Sequence, residues 1–461
     1  MPVFVHRTHI DAPADEVFAW HGRPGALERL IAPWERIRLL SRTGGIENGA
    51  RAILELRVGP RRMRWIAEHR DYEEGRRFRD VQIEGPFARW DHLHRVEPEG
   101  TSACTLEDRI EYELPGGALG EVIGARFVRR NLERTFAYRH RIIALDVRAH
   151  LSARGARGDA PPVTVLVSGA HGFIGSALVP FLTAGGHRVI RLVRRPVQSG
   201  GDEVHWDPEA GTIDKASLAG VDAAVHLAGE SIASGRWTED LKQRILRSRE
   251  KGTRLLSETL ARLEPRPRVL LSASAIGYYG NRGDEELREE SPFGDGFLAG
   301  VCREWEAGTA TAEEAGIRVA HLRFGVVLNP AGGALRRMLP PFRAGCGGKL
   351  GSGTQYMSWV AREDAIGAAH HVLVNRELEG PVNVVAPEPV TNAEFTRTLA
   401  KLLRRPAFLG VPAAALRLAL GEMADETLLA SARVAPARLG RTGYAFREPV
   451  LEQALAHMLG L

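Results

Sequence analysis

The sequence predicts an α/β chain in two parts. The first is an α+β domain with a curved antiparallel sheet and a long closing helix. The second is a doubly wound parallel sheet with a small C-terminal lobe. Three observations predict this. Strand-sized pieces punctuated by Gly and Pro at hairpin spacing run from Ile46 to Tyr112. A long helical pattern follows, and then "LSARGARGDAPP" (Leu151–Pro162), small, polar and proline-ended, breaks the hydrophobic period. From Val163 onward strand-like and helix-like segments alternate, as parallel crossovers require. A chain of 461 residues also exceeds one ordinary core, so two or three domains are expected.

Composition narrows the class. The chain is 44% apolar and 26% charged, a globular balance. Its net charge of +5 and pI near 9.3 raise the question of an anionic partner. The arginines are scattered among Asp and Glu without a basic run, so no nucleic-acid partner is expected. There is no uninterrupted apolar run of membrane-spanning length, and "MPVFVHRTHIDAP" lacks a secretory core, so a cytoplasmic protein with no membrane partner is expected. Cys104, Cys302 and Cys346 are far apart and odd in number. They offer no disulfide framework and no metal knuckle, and no metal site is expected. The oligomeric state stays open.

Within the first part, "FVHRTHI" alternates as an edge strand and "APADEVFAWHG" reads as a short helix before the hairpin strands. "LGEVIGARFVRRNLERTFAYRHRIIALDVRAH" closes the region as a long helix. A curved sheet wrapped around such a helix leaves an apolar cavity. Trp65, Trp90, His92 and His94 either line it or simply fill core, the two histidines sharing a face because the strand period is two. The string "GPFARWDHLHRVEP", with "DRIEYELPGGALG" downstream, resembles the START-like (SRPBCC, polyketide cyclase-like) helix-grip domains. The resemblance implies a hydrophobic small-molecule ligand for residues 1–150. Residues 151–162 are read as a linker.

In the second part the order is strand "VTVLV", turn "SGAHGFIG", helix "SALVPFLTAGG", strand "HRVIRLV". Gly169 permits a tight turn, Gly172 admits a pyrophosphate, and Gly175 lets the helix pack close to the strand. His171, Phe173 and Ile174 complete the turn, and the helix N-terminus offers free N–H groups to phosphate. Leu227, Ala228 and Gly229, after the strand "DAAVH", form a second cofactor-facing loop. The second strand ends in Arg194 and Arg195 where an NAD-binding site would place a carboxylate. Guanidinium groups suit a 2′-phosphate, which favours NADP(H) over NAD(H); a solvated arginine pair capping a strand is the alternative.

Four ordered motifs, "DAAVHLAGESI", "VLLSASAIGYYG", "VAHLRFGVVLNP" and "GSGTQYMSWVAREDAIGA", together resemble the extended short-chain dehydrogenase/reductase superfamily, in particular its atypical epimerase-like group. The spacing G-x-x-G-x-x-G is similar to that superfamily's pattern, and the tail is similar to the group's C-terminal helical segment. The resemblance covers residues 163–461. It implies a Rossmann-type domain with substrate-lobe insertions over 163–400 and the helical segment over 401–461.

It also implies a catalytic Tyr with a Lys four residues later, and a Ser or Thr that orients the substrate oxygen. Ser274 fits the hydroxyl, with Ser272 beside it. The helix "GDGFLAGVCREWEAGTA" holds Phe297 or Leu298 where Tyr is expected and Val301 or Cys302 where Lys is expected, so the dyad is absent. Tyr278 is the substitute proton donor, or it packs the loop with Tyr279. Glu230 and Lys251 are further ionisable candidates, and Cys302 reads as a small buried hydrophobe. Two functions stay open: an NADP(H)-dependent oxidoreductase or epimerase acting on a small carbonyl or hydroxyl compound, or a dinucleotide-sensing, ligand-binding protein that has lost the dyad.

Overall fold

The computed structural model describes residues 1–461 except 59–60, 157–161 and 198–200. The chain divides into two compact units: Met1–Ala160 with Pro180–Gly186 and Leu459–Leu461, and Pro161–Val179 with His187–Met458. Among the described residues no helix is long and apolar enough to cross a membrane.

The first unit is a seven-stranded antiparallel sheet in the order β1-β7-β6-β5-β4-β3-β2, with strands Val3–Ile10 (β1), Ile37–Thr43 (β2), Arg51–Val58 (β3), Arg61–Glu73 (β4), Arg77–Glu84 (β5), Arg89–Pro98 (β6) and Cys104–Glu113 (β7). Helices Ala14–Gly22 (α1) and Ala26–Arg29 (α2) lie between β1 and β2, and Gly117–Ala156 (α3) follows β7. On α3, Phe136, Ile143 and Val147 are buried at helical spacing, one apolar stripe on a charged helix. Leu106 and Ile110 on β7 and Phe78 on β5 are buried with them, so alternate residues of each strand point inward.

The expected boundary at residue 150 is corrected. Helix α3 continues through Leu151 to Ala156, with Ala153 buried and Arg154 ion-paired to Glu16 on α1. Those contacts outweigh the small polar composition that argued for a linker. Residues 157–161 of the expected linker lie outside the described residues.

The second unit is built on an eight-stranded sheet with strands Thr164–Ser168 (β8), Arg188–Val193 (β9), Glu203–Asp207 (β10), Thr212–Ile213 (β11), Ala223–His226 (β12), Val269–Ala275 (β13), Arg318–Phe324 (β14) and Gly380–Val384 (β15). Their order in the sheet is β11-β10-β9-β8-β12-β13-β14-β15. Every pairing is parallel except β10 with β11. From β8 the order runs outward both ways, which puts the topological switch, and so the ligand crevice, at the carboxyl ends of β8 and β12. Helices Gly175–Ala184 (α4), Glu239–Ala261 (α5), Phe297–Ala307 (α6), Ala310–Glu314 (α7), Gly333–Arg343 (α8) and Arg362–Val374 (α9) connect the strands. Smaller strand pairs, among them Val326–Asn329 with Trp359–Ala361, assemble the added lobe.

Candidate functional site

The site begins where β8 ends at Ser168. Gly169 has φ +68, and a Cβ there would lie 2.7 Å from the Leu227 carbonyl carbon. A Cβ on Gly175 would lie 2.2 Å from the Gly169 oxygen. Both positions therefore require glycine, one for conformation and both for close approach. Gly172 donates its N–H to the Gly169 carbonyl at 2.9 Å, closing the turn. The N–H groups of Phe173, Ile174 and Gly175 find no acceptor among the described residues. That is the open donor set a helix N-terminus presents to an anion. His171 is exposed at the turn's tip, and the half-buried Phe173 ring fills the space a Cβ on Gly332 would take, 2.5 Å away.

The second loop is held by a buried chain of polar groups. His226 lies 2.7 Å from Ser168 Oγ and 3.0 Å from Thr253 Oγ1, while Ser168 Oγ accepts from the Leu227 N–H at 3.2 Å. Burial, reinforced by the Arg249 charge, pushes the His226 pKa down to about 4, so the ring is a neutral spacer. Gly229 leaves room for Arg249: a Cβ there would sit 3.2 Å from its guanidinium carbon. Arg249 donates to the Glu230 carbonyl at 3.0 Å and lies over Trp305. Nothing in the run of charges along α5 singled Arg249 out, because its partners are backbone carbonyls, of Glu230 in the loop and of Ile245 on its own helix.

At the end of β9, Arg194 and Arg195 are exposed. Arg194 has no ion-pair partner among the described residues, and Arg195 pairs with Glu203. An open cleft of about 700 Å³ lies here, lined in part by Arg191, Arg195, Asp202 and Glu203. Asp202 is paired to Arg188 at 3.0 Å, so both carboxylates of the cleft already have cationic partners.

The catalytic candidates fall into a different arrangement from the one expected. Ser274 is 3% exposed and donates its hydroxyl to Glu306 Oε1 at 2.7 Å. The hydroxyl hydrogen expected to meet a substrate oxygen is directed at a buried carboxylate in this structure. Glu306 is gripped from its other side by Arg323, Nε to Oε1 and Nη2 to Oε2, both at 2.8 Å. Arg323 Nη1 donates to the Tyr279 hydroxyl at 3.0 Å, and Tyr279 donates to Asn383 at 2.7 Å. Tyr279 is fully buried, and burial pushes its phenol up to about 12, so it is packing. Tyr278 is half-buried, its ring centroid 3.5 Å from the Arg323 guanidinium carbon.

Helix α6 carries no Tyr or Lys, as expected. Its first N–H groups, on Phe297 and Leu298, donate to the Glu426 carboxylate at 3.1 Å each. Cys302 is buried, and its thiol is pushed up to about 11 by that burial. Ser272 is buried beside Ser274, and Lys251 pairs with Glu209 at the surface. Asp364 is the anchor of the C-terminal segment: it accepts from the Tyr444 hydroxyl and from the Arg447 and Glu448 N–H groups at 3.0, 2.7 and 2.9 Å. In the first unit, Trp65 and Trp90 stack edge to face at 5.2 Å, and their buried indole N–H groups find no acceptor among the described residues.

Residues 165–385 match the model of the NAD dependent epimerase/dehydratase family. Residues 10–136 match polyketide cyclase / dehydrase and lipid transport, and 411–458 match a domain of unknown function, DUF1731. The chain is 45% identical over 294 residues to the epimerase family protein Mb2239 of Mycobacterium bovis, covering 64% of this chain and 96% of that protein. It is 37% identical over 298 residues to the human epimerase family protein SDR39U1, covering 64% and 99%. Among solved structures, a nucleoside-diphosphate sugar epimerase from Corynebacterium glutamicum aligns over 99% of this chain and 90% of its own, with TM-score 0.81 and 33% identity. The human SDR39U1 structure with NADPH aligns over 64% and 99%, with TM-score 0.60 and 36% identity.

Proposed function

The chain belongs to the NAD dependent epimerase/dehydratase family, and from that premise we propose that it binds NADP(H) and works as an oxidoreductase on a small carbonyl or hydroxyl compound. The observation that carries this reading is the glycine cradle. A Cβ on Gly169 or Gly175 would collide with backbone, and three N–H groups stand open at the start of α4. Gly169 to Gly175 hold the pyrophosphate, and Leu227 to Gly229 face the nicotinamide half. The arginines decide the cofactor: Arg194 and Arg195 pair with the 2′-phosphate, a reading supported by the NADPH in the human relative's structure.

When bound, the cofactor supplies or accepts a hydride. Tyr278 gives or takes the accompanying proton. Arg323 holds its ring in place, and Ser274 acts one step back as a positioning residue through Glu306. The first unit takes an apolar small molecule, a reading supported by its polyketide cyclase-like match. One observation favours the competing non-catalytic reading, the absence of Tyr and Lys from α6.

A nicotinamide fluorescence titration with NADPH and NADH tests the cofactor, and reduction of a panel of aliphatic and aromatic carbonyl compounds tests the chemistry. NADPH binding with turnover that disappears in Tyr278→Phe supports the proposal. NADPH binding with no turnover of any compound supports a sensor. Failure to bind either nucleotide overturns the cofactor assignment.

A further inference from the structure

The antiparallel register of the first unit puts four ionisable side chains on one patch of its inward face. Asp80 on β5 stands directly opposite His92 on β6, and His94 on β6 directly opposite Asp108 on β7. His92 and His94 share the face because they are two apart on one strand. All four lie within reach of one another. Asp80 Oδ1 is 3.1 Å from His92 Nδ1 and 2.9 Å from His94 Nε2. Asp108 Oδ1 is 2.9 Å from His92 Nε2 and 2.6 Å from His94 Nδ1. The second oxygen of Asp108 meets His140 Nε2, on α3, at 2.6 Å, and His140 Nδ1 lies 2.8 Å from Thr8 Oγ1. His92, His140 and Asp108 are almost wholly buried, the His94 side chain is 11% exposed, and Asp80, with 16% of its side chain exposed, lies nearest to solvent.

We propose that Asp80, His92 and His94 form a binding site for one divalent first-row transition-metal ion, with Asp108 as the carboxylate behind both imidazoles. One donor atom from each of the three residues lies within 4.8 Å of the others. The two contacts to Asp80 are close to the roughly 3.3 Å edge of a tetrahedron built on 2.0–2.1 Å bonds. Two nitrogens and one carboxylate oxygen suit zinc or ferrous iron with positions left open for a further ligand. The opposite ring nitrogens of both histidines face Asp108, the arrangement that fixes imidazole ligands in other metal sites.

Two further observations point to an ion. His94 Nδ1 is buried and, although 2.6 Å from Asp108, lacks a directed hydrogen bond. Coordination at Nε2 leaves the ring's proton on Nδ1, where it is donated to Asp108. In addition, the two carboxylates that face both imidazoles match the two charges of a divalent ion. Binding displaces the proton on His94 Nε2 and any proton on His92 Nδ1 to solvent past Asp80.

The test uses the whole chain, stripped with a chelator and titrated with cobalt(II), then with zinc. The expected result is one equivalent bound per chain, with visible ligand-field bands that zinc abolishes. His92→Ala and His94→Ala should each lose the bands and weaken cobalt binding at least ~100-fold. Asp108→Asn should keep the bands and weaken binding roughly 10- to 100-fold. No saturable binding, or equal binding in the histidine variants, overturns the proposal and leaves a purely hydrogen-bonded quartet. If a histidine variant fails to fold by circular dichroism, X-ray absorption of the cobalt-loaded native chain decides. Two imidazoles and one carboxylate support the site; a sulfur ligand, three imidazoles or an all-oxygen shell overturns it.

Discussion

The guanidinium carbon of Arg323 lies 3.5 Å from the centroid of the Tyr278 ring. A cation against a phenol face is an attractive contact in itself, but Arg323 is not free to seek it out. It is fixed first by Glu306, through two bonds of 2.8 Å in a site where both side chains are largely withdrawn from water. The ion pair therefore sets the arginine, and the arginine sets the tyrosine. This line of contact runs from β13 through α6 to β14 and back to the turn after β13.

Removing one member of that pair leaves the other charge buried. Glu306→Ala is expected to lower stability by about 3–5 kcal/mol. Ser274→Ala removes a single donor to a carboxylate that keeps its arginine, and is expected to cost about 1 kcal/mol. Urea unfolding midpoints measure both. Equal losses in the two variants would show that the hydroxyl, not the guanidinium, holds Glu306.

The cradle and the arginines separate nucleotide binding from cofactor choice. Gly175→Ala pushes a methyl to 2.2 Å from the Gly169 oxygen, so affinity for NADPH and NADH should fall together, by at least ~100-fold. The pair Arg194→Ala with Arg195→Ala should weaken NADPH roughly 10- to 100-fold, the 1.5–3 kcal/mol of a charge-assisted bond, and leave NADH unchanged. Equal loss of both nucleotides in the arginine variant would place those side chains away from the 2′-phosphate.

Thiol reactivity follows burial. Cys104 and Cys302 are buried, and burial pushes each thiol up to about 11; Cys346 is exposed. At pH 8 a thiol reagent should modify one cysteine of the native chain, Cys346, and all three after denaturation. Rapid native labelling of Cys302 would show that α6 opens, and would return that thiol to the list of reactive groups.

The sequence was most legible where function depends on neighbours in the chain. The glycine turn could be read from spacing because strand, turn and helix follow one another within about twenty residues of Thr164, and the structure places them so. The helix end at Ala156 was not legible, because Arg154 is held by Glu16, well over a hundred residues earlier. Ser274 was found as a strand-end hydroxyl, but Glu306 lies 32 positions on, and no local pattern pairs them. The two histidines of β6 were visible through the strand period. Asp80 and Asp108 joined them only through cross-strand register, which composition and periodicity do not encode.

His226 makes the stability of the second unit depend on pH. It is fully buried between Ser168 and Thr253, and burial, with Arg249 adding to it, holds its folded pKa at about 4 against 6.5 in the unfolded chain. A group depressed in the fold contributes stability that is fully present above 6.5 and is lost as pH falls through about 4. The difference of about 2.5 units corresponds to about 3 kcal/mol at 1.36 kcal/mol per unit. His226→Gln has no proton to gain in this range. The gap in urea midpoint between native and variant chains should therefore shrink steadily from pH 7 to pH 4. A gap that stayed constant over that range would mean that His226 gains its proton at the same pH in the fold as in the unfolded chain, and that the buried Ser168–His226–Thr253 chain tolerates the charge.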